Sequence, residues 1–329
     1  MHGGSQSAGL MLQGEIVIIR TPILVTFVGV LLAAIAVQAT ASADEAVLER
    51  RGWRYLVDKL AYDGVPRADV AAAFTDPRMP AFDGLRFALA PHESSTRYRQ
   101  LRSPASVRAA ERCRARYASA FRNAEAREGV PAGLIAAIVH VESSCGNATG
   151  SSSVLHRLAR LAMANEPANL ARNVLDHAGD PADPAIAARV HERAAYLERT
   201  FYPEVRGVFA MAERLHLDPL DIEGSSAGAF GFPQFLPTSY LRYGVDGNGD
   251  GHVSLYDMDD AAASCARFLA ANGWRSNLTL AERRRVIWQY NRSDAYIDTV
   301  LTLYRQIESP RAAERNPRVA KNDARRRTR

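Results

Sequence analysis

Apolar residues recur along most of this chain at helical spacing, and no sustained alternation of the strand type interrupts them. Ser103-Pro104 predicts an N-cap with proline at the first helical position. The helix it opens carries an apolar stripe at Val107, Ala110, Cys113, Tyr117, Phe121 and Ala124, and Gly129 breaks it. Pro131 restarts a second helix with Leu134, Ile138 and Val141 inward, which Gly146 stops, so the pair predicts an αα-hairpin. Residues 147–185 read as loop around a helical stretch, and residues 224–239, rich in Gly, Pro, Ser and Thr, read as loop. Further helices are expected over 185–215, 259–272 and 281–308.

The N-terminus breaks this pattern. Ile23 to Val37 is a single apolar run interrupted only by Thr26 and Gly29, with Arg20 before it and Ala41-Ser42-Ala43 after it. This predicts a signal peptide over 1–43, cleaved after Ala43, and an exported, periplasmic protein. An uncleaved membrane anchor is the alternative, although a span wants about 20 apolar residues. No cysteine follows the run to take a lipid.

Composition adds little except in its charge. The chain has 329 residues, 47% of them hydrophobic and 23% charged, which is ordinary for a globular protein. The net charge of +5 is misplaced evidence for a nucleic-acid binder. Residues 311–329 alone carry +6, so the remainder is −1. The predicted organisation is therefore a signal peptide, one folded domain over 44–308 and a basic tail over 309–329, drawn to anionic envelope surfaces.

Within the folded part, Glu142 is the carboxylate in the unusual place. It follows Ile138 by four residues and Leu134 by eight, so it shares their buried face. It also falls in the last turn, where the helix dipole opposes a negative charge. Both effects favour the protonated form, which a general acid for glycosidic cleavage needs.

The twelve residues Asp246 to Asp257 fit the EF-hand calcium loop. Asp246, Asn248 and Asp250 fall at positions 1, 3 and 5, and Gly251 at the turn. His252 offers its carbonyl at position 7, Ser254 stands at 9, and Asp257 replaces the usual glutamate at 12. A structural Ca2+ is expected, and no organic cofactor.

The three cysteines have no metal-ligand spacing. Gly129 is midway between Cys113 and Cys145, and residues equidistant from the turn of an antiparallel pair sit side by side. A Cys113–Cys145 disulfide is expected, with Cys265 left as a buried thiol.

Three blocks then carry a family resemblance. They are Gly129-Val130-Pro131 leading to Val141-Glu142-Ser143-Ser144-Cys145-Gly146, the segment Gly224 to Tyr240 around Phe230-Gly231-Phe232-Pro233-Gln234-Phe235, and Trp288-Gln289-Tyr290-Asn291-Arg292-Ser293. With the calcium-type loop between the last two, the chain resembles the lytic murein transglycosylase B family from about Trp53 to Ile307. The resemblance implies a mainly α protein, with a lysozyme-like α+β core, an additional helical lobe and an inserted calcium loop. It implies non-hydrolytic cleavage of the MurNAc–GlcNAc β-1,4 bond of peptidoglycan glycan strands to 1,6-anhydroMurNAc ends. By the same resemblance Glu142 is the acid/base, and Ser225, Gln234, Tyr290, Asn291, Tyr296 and Tyr98 match positions around the sugars. Phe268 stands where the family often has tyrosine. Pro233 replaces a usual glycine, and Ser144-Cys145 a usual bulkier pair. Two readings compete with a transglycosylase: a non-catalytic peptidoglycan-binding or scaffold protein of the same fold, and a muramidase-type hydrolase. A hydrolase needs a second carboxylate, such as Asp221 or Glu223.

Overall fold

Nearly every apolar stripe found in the sequence becomes a helix in the computed structural model, which describes residues 43–90 and 95–308. The expected signal peptide and basic tail lie outside the described residues. Residues 43–47 are helical, and the residues from Leu48 on pack as one unit.

The helices are α1 (Arg54–Tyr62), α2 (Arg67–Thr75), α3 (Ser95–Leu101), α4 (Pro104–Arg116), α5 (Ala118–Glu128) and α6 (Ala132–Ser143). After them come α7 (Val154–Ala162), α8 (Pro167–Ala178), α9 (Pro184–Leu215), α10 (Pro237–Tyr243), α11 (Met258–Ala271), α12 (Leu280–Tyr290) and α13 (Asp294–Glu308). Regular β structure among the described residues is one antiparallel ladder, β1 (Ser152–Ser153) against β2 (Glu223–Gly224). The β part of the expected α+β core is thus two residues per strand.

Helix α6 sits at the centre, against α4, α5, α11 and α13. It buries Ala132 to Val141 and Ser143, and of its residues only Glu142 reaches the surface. A helix apolar on all sides is a core helix, whereas the sequence reading had given it one inward face. Around it the main core includes Phe121, Leu134, Ile138, Leu269 and Val300.

The stripe from Val107 to Ala124 is not one helix. The chain turns at Tyr117 (φ −108°, ψ 35°), which ends α4 and begins α5. Ser103 caps α4 as expected, accepting from the Ser106 N–H. The span expected over 281–308 also divides, because Asn291 is extended (φ −149°, ψ 124°). The loop-rich stretch over 147–185, expected to hold one helix, holds two, α7 and α8.

The helices α1, α2 and α7–α9 pack against one another. Trp53 is fully buried there against Phe74 and Phe82, and its indole N–H donates to the Pro80 carbonyl at 2.8 Å. Buried Asn169 and Asn173 of α8 clasp the extended strand-like segment beside them. Asn169 accepts from Leu85 N–H at 2.7 Å, and Asn173 donates to the Leu85 carbonyl at 2.8 Å. Within the 32-residue α9, Pro203 removes one backbone donor. Next to it, buried Glu204 accepts from the backbone N–H and hydroxyl of Thr238 at 2.9 and 2.6 Å, joining α9 to α10.

Cys113 and Cys145 are joined by a disulfide with Cα atoms 6.2 Å apart, and Cys265 is a buried free thiol. Closing a loop of separation 32 stabilises by roughly 3–4 kcal/mol in the chain-entropy model. Denatured, unreduced protein should therefore titrate one thiol, and Cys113→Ser should melt several degrees lower in oxidising buffer; three thiols would refute the bridge.

His140 of α6 is buried, with Nε2 at 2.8 Å from Ser106 Oγ and no partner for Nδ1 among the described residues. Burial, and then the charge of Arg112, hold its imidazole below the usual range. A depressed histidine binds its proton less readily folded than unfolded, so stability is full above the ordinary value of about 6.5 and declines below it. The melting temperature should fall from pH 7 to pH 5, and His140→Gln should fall less steeply; burial depresses His156 as well, so part of the slope remains.

Candidate active site

The site begins with how α6 ends. Ser144, Cys145 and Gly146 all adopt left-handed φ values of 50°, 63° and 85°. Two of these residues have a Cβ, and such backbone persists only where its surroundings enforce it. Here Cys145 is tied to Cys113, and Ser143 Oγ donates to the Phe232 carbonyl at 2.7 Å while accepting from Gly146 N–H at 3.0 Å. Gly146 is also required by space, since a Cβ there would lie 2.6 Å from the Phe232 ring. The turn leaves Glu142 as a half-buried carboxylate at the mouth of an apolar helix.

Helix α13 supplies its partner. The Tyr296 hydroxyl donates to Glu142 Oε1 at 2.6 Å. The Tyr296 ring stacks on that of Tyr290 with centroids 6.4 Å apart and planes 12° apart. Tyr290 meets Phe268 of α11 edge-on at 4.9 Å, and its hydroxyl donates to the Pro233 carbonyl at 2.6 Å. Burial, reinforced by the neighbouring Cys265 and the charge of Glu142, pushes the Tyr290 phenol far up. Burial and then Glu142 do the same for Tyr296. Burial raises the Cys265 thiol to about 12, and this group hydrogen-bonds to Tyr290. These neighbours stay neutral, so they can position Glu142 without competing for its charge.

Residues 224–236 form the opposite side. Phe230 and Phe235 exchange backbone hydrogen bonds at 2.9 and 3.1 Å, closing a tight loop. At its tip Gln234 is left-handed (φ 50°), and its amide donates to the carbonyls of Gly231 and Thr149 at 2.9 and 3.2 Å. Ser225 Oγ accepts from Ala229 N–H at 3.2 Å. This arm lies directly on the chain leaving α6, where a Cβ on Gly150 would fall 2.2 Å from the Gly224 carbonyl.

The predicted residues thus divide. Glu142, Ser225, Gln234, Tyr290 and Asn291 are half-buried and available to a ligand. Tyr98, Phe268 and Tyr296 are only 7%, 8% and 1% exposed. The flat face expected of Tyr296 is therefore turned into the core, and its contact with Glu142 makes it a positioning group. Phe268 is a packing partner of Tyr290 and Tyr243. Tyr98 lies near enough to interact electrostatically with Tyr296. A surface depression of about 900 Å³, lined by Gly64, Asp69, Gly207 and Pro219 among others, contains none of these residues.

The calcium-type loop is a separate feature, tied to α5 by Arg127, which donates to the Asp246 carbonyl at 3.0 Å. Asp246 accepts from Gly249 and Gly251, Asn248 from Asp250, and Asp250 from His252, all at 2.6–2.9 Å. Asp257, expected as the closing ligand, also caps α11 with its Oδ1. The acid that reaches the loop is Asp260, fully buried and accepting from Gly247 and Ser254 N–H at 2.7 Å each. Asp260 lies beyond the twelve-residue pattern, and its one local signal is a place beside Asp259 in the first turn of an Ala-rich helix. Among the described residues, no three His, Cys, Asp or Glu side chains stand together closely enough to hold a metal ion. The donor set itself, carboxylate and amide oxygens, suits a hard cation.

Comparison with known proteins bears on the same elements. Residues 49–283 match a family model described as the transglycosylase SLT domain. The chain is 35% identical over 158 residues to the membrane-bound lytic murein transglycosylase B of Escherichia coli K12, a stretch covering 48% of this chain and 36% of that protein. The match thus spans about a third of the relative's length. Among solved structures, the fold resembles E. coli lytic transglycosylase Slt35 in complex with calcium, with a TM-score of 0.56, 23% identity, and coverage of 77% of this chain and 91% of that one. It also resembles SltB1 of Pseudomonas aeruginosa, with a TM-score of 0.58, 23% identity, and coverage of 77% and 95%. SltB3 of the same organism, solved with NAG-anhNAM-pentapeptide, gives a TM-score of 0.55, 19% identity and coverage of 80% of each chain.

Proposed function

Since the chain belongs to the transglycosylase SLT domain family, we propose that it is a lytic transglycosylase that cleaves the MurNAc–GlcNAc β-1,4 bond of peptidoglycan without water. The observation that carries this reading is Glu142, a half-buried carboxyl on a buried helix, held at Oε1 by Tyr296. Glu142 protonates the glycosidic oxygen as the bond to MurNAc C1 breaks, and the sugar's own N-acetyl group supports the cation. The carboxylate then takes the proton from the C6 hydroxyl as O6 attacks C1, giving the 1,6-anhydro ring. One group serves as acid and then base, and no water is consumed. Gln234 and Asn291 are suited to hold hydroxyl and acetamido groups, and Ser225 and Tyr290 complete the sugar contacts. Of the acids a hydrolase would need, Asp221 is paired with Arg78 at 2.8 Å, and Glu223 is exposed. An envelope location fits this substrate, and the relative's description as membrane-bound concerns that protein.

Calcium belongs to this reading as a structural ion. The oxygens of Asp246, Asn248 and Asp250, the His252 carbonyl and the acids Asp257 and Asp260 are the groups to hold it. It braces the loop between α10 and α11, and takes no part in the chemistry.

Mass spectrometry of digested sacculi should find anhydro ends, and Glu142→Gln should keep its melting temperature while losing turnover by at least about a hundredfold. Reducing ends would identify a hydrolase, and intact sacculi a binding protein. Chelator should lower the melting temperature by roughly 5–10 °C, and Asp246→Ala should abolish that response; an identical melting curve with and without chelator would refute the bound ion.

A further inference from the structure

Tyr256 lies outside every residue assigned above, yet its surroundings are those of a binding surface. It is 45% exposed, although its hydroxyl is held by the Glu223 carbonyl of β2. The ring stands edge-on to Phe232, with centroids 6.4 Å apart. Phe232 is itself half-buried, and its carbonyl receives Ser143 next to Glu142. Both neighbours continue into the candidate site: Ser225 lies two residues beyond Glu223, and Gln234 two beyond Phe232. Phe232 thus links Tyr256 to Ser143, the neighbour of Glu142.

A tyrosine whose hydroxyl is fixed by the main chain and whose ring remains exposed spends little entropy in binding. Its immobilised face suits the apolar C–H face of a pyranose. The loop holds it from both sides, through Phe232 N–H to the Leu255 carbonyl at 2.8 Å and through the Asp257 cap of α11. We propose that Tyr256, backed by Phe232, is a stacking platform for a sugar of the glycan strand beyond the pair flanking the cleaved bond. The inference rests on the peptidoglycan reading above, and it makes Tyr256 a determinant of how long a strand the protein grips.

Binding of purified glycan strands to Glu142→Gln protein, followed by calorimetry, tests this without turnover. Adding Tyr256→Ala or Tyr256→Leu should weaken long strands about tenfold, while Tyr256→Phe, which keeps the ring, should stay within about twofold. In the protein with Glu142 intact, the loss should fall on KM and not on kcat. Equal affinity of the Ala, Leu and parent proteins would overturn the platform, as would a Phe variant as weak as Ala, which would assign the effect to the Glu223 hydrogen bond. If Tyr256-dependent binding is found but sacculi are not cleaved, the catalytic reading fails and the platform stands. If sacculi are cleaved and Tyr256→Ala binds as tightly as its parent, only the platform fails.

Discussion

Helix α6 buries eleven of its twelve residues, and the remainder of the protein can be understood as what is needed to place the twelfth. A core helix is held by packing on every side, so its end is fixed to the precision of the interior. Glu142 inherits that precision. Four neighbouring helices, a disulfide, and the Ser143 contact to the Phe232 loop all act on the turn that follows it. None of these contacts uses the carboxylate, whose Oε1 accepts from Tyr296.

The choice of partners around Glu142 is economical. Two phenols and a thiol supply hydrogen bonds and ring surface while remaining uncharged, because burial raises all three. A cation in their place would stabilise the ionised carboxylate and a second acid would contest its proton. A neutral surround lets one carboxyl exchange a proton in both directions, which the proposed sequence of steps requires.

Much of this could be read in the chain because the signals were local. The position of Glu142, the ends of α9 and the Cys113–Cys145 pairing all follow from spacing along helices. What could not be read depended on contacts between distant segments. Tyr117 interrupts an unbroken apolar stripe, so nothing in the stripe announced the turn. Tyr296 and Tyr290 are one helix junction apart, yet one ring is buried and the other half-exposed, a difference set by α6 and α11. Asp257 and Asp260 lie one helical turn apart on α11 and its cap. Only the structure shows that the first caps the helix end through one oxygen and the second reaches the calcium-type loop.

The three left-handed residues after Ser143 also set a limit on how this protein can vary. Helix α6 is entered at Pro131 and left at a turn clamped by a covalent bond, so its residue count is fixed at both ends. Each added or deleted residue would swing Glu142 by about 100° around the helix axis and shift it by about 1.5 Å along it. Substitutions within α6 change how well the helix packs, but a change of length re-aims the carboxylate into the core. The lineage of this chain can therefore drift in the composition of its central helix far more freely than in its length.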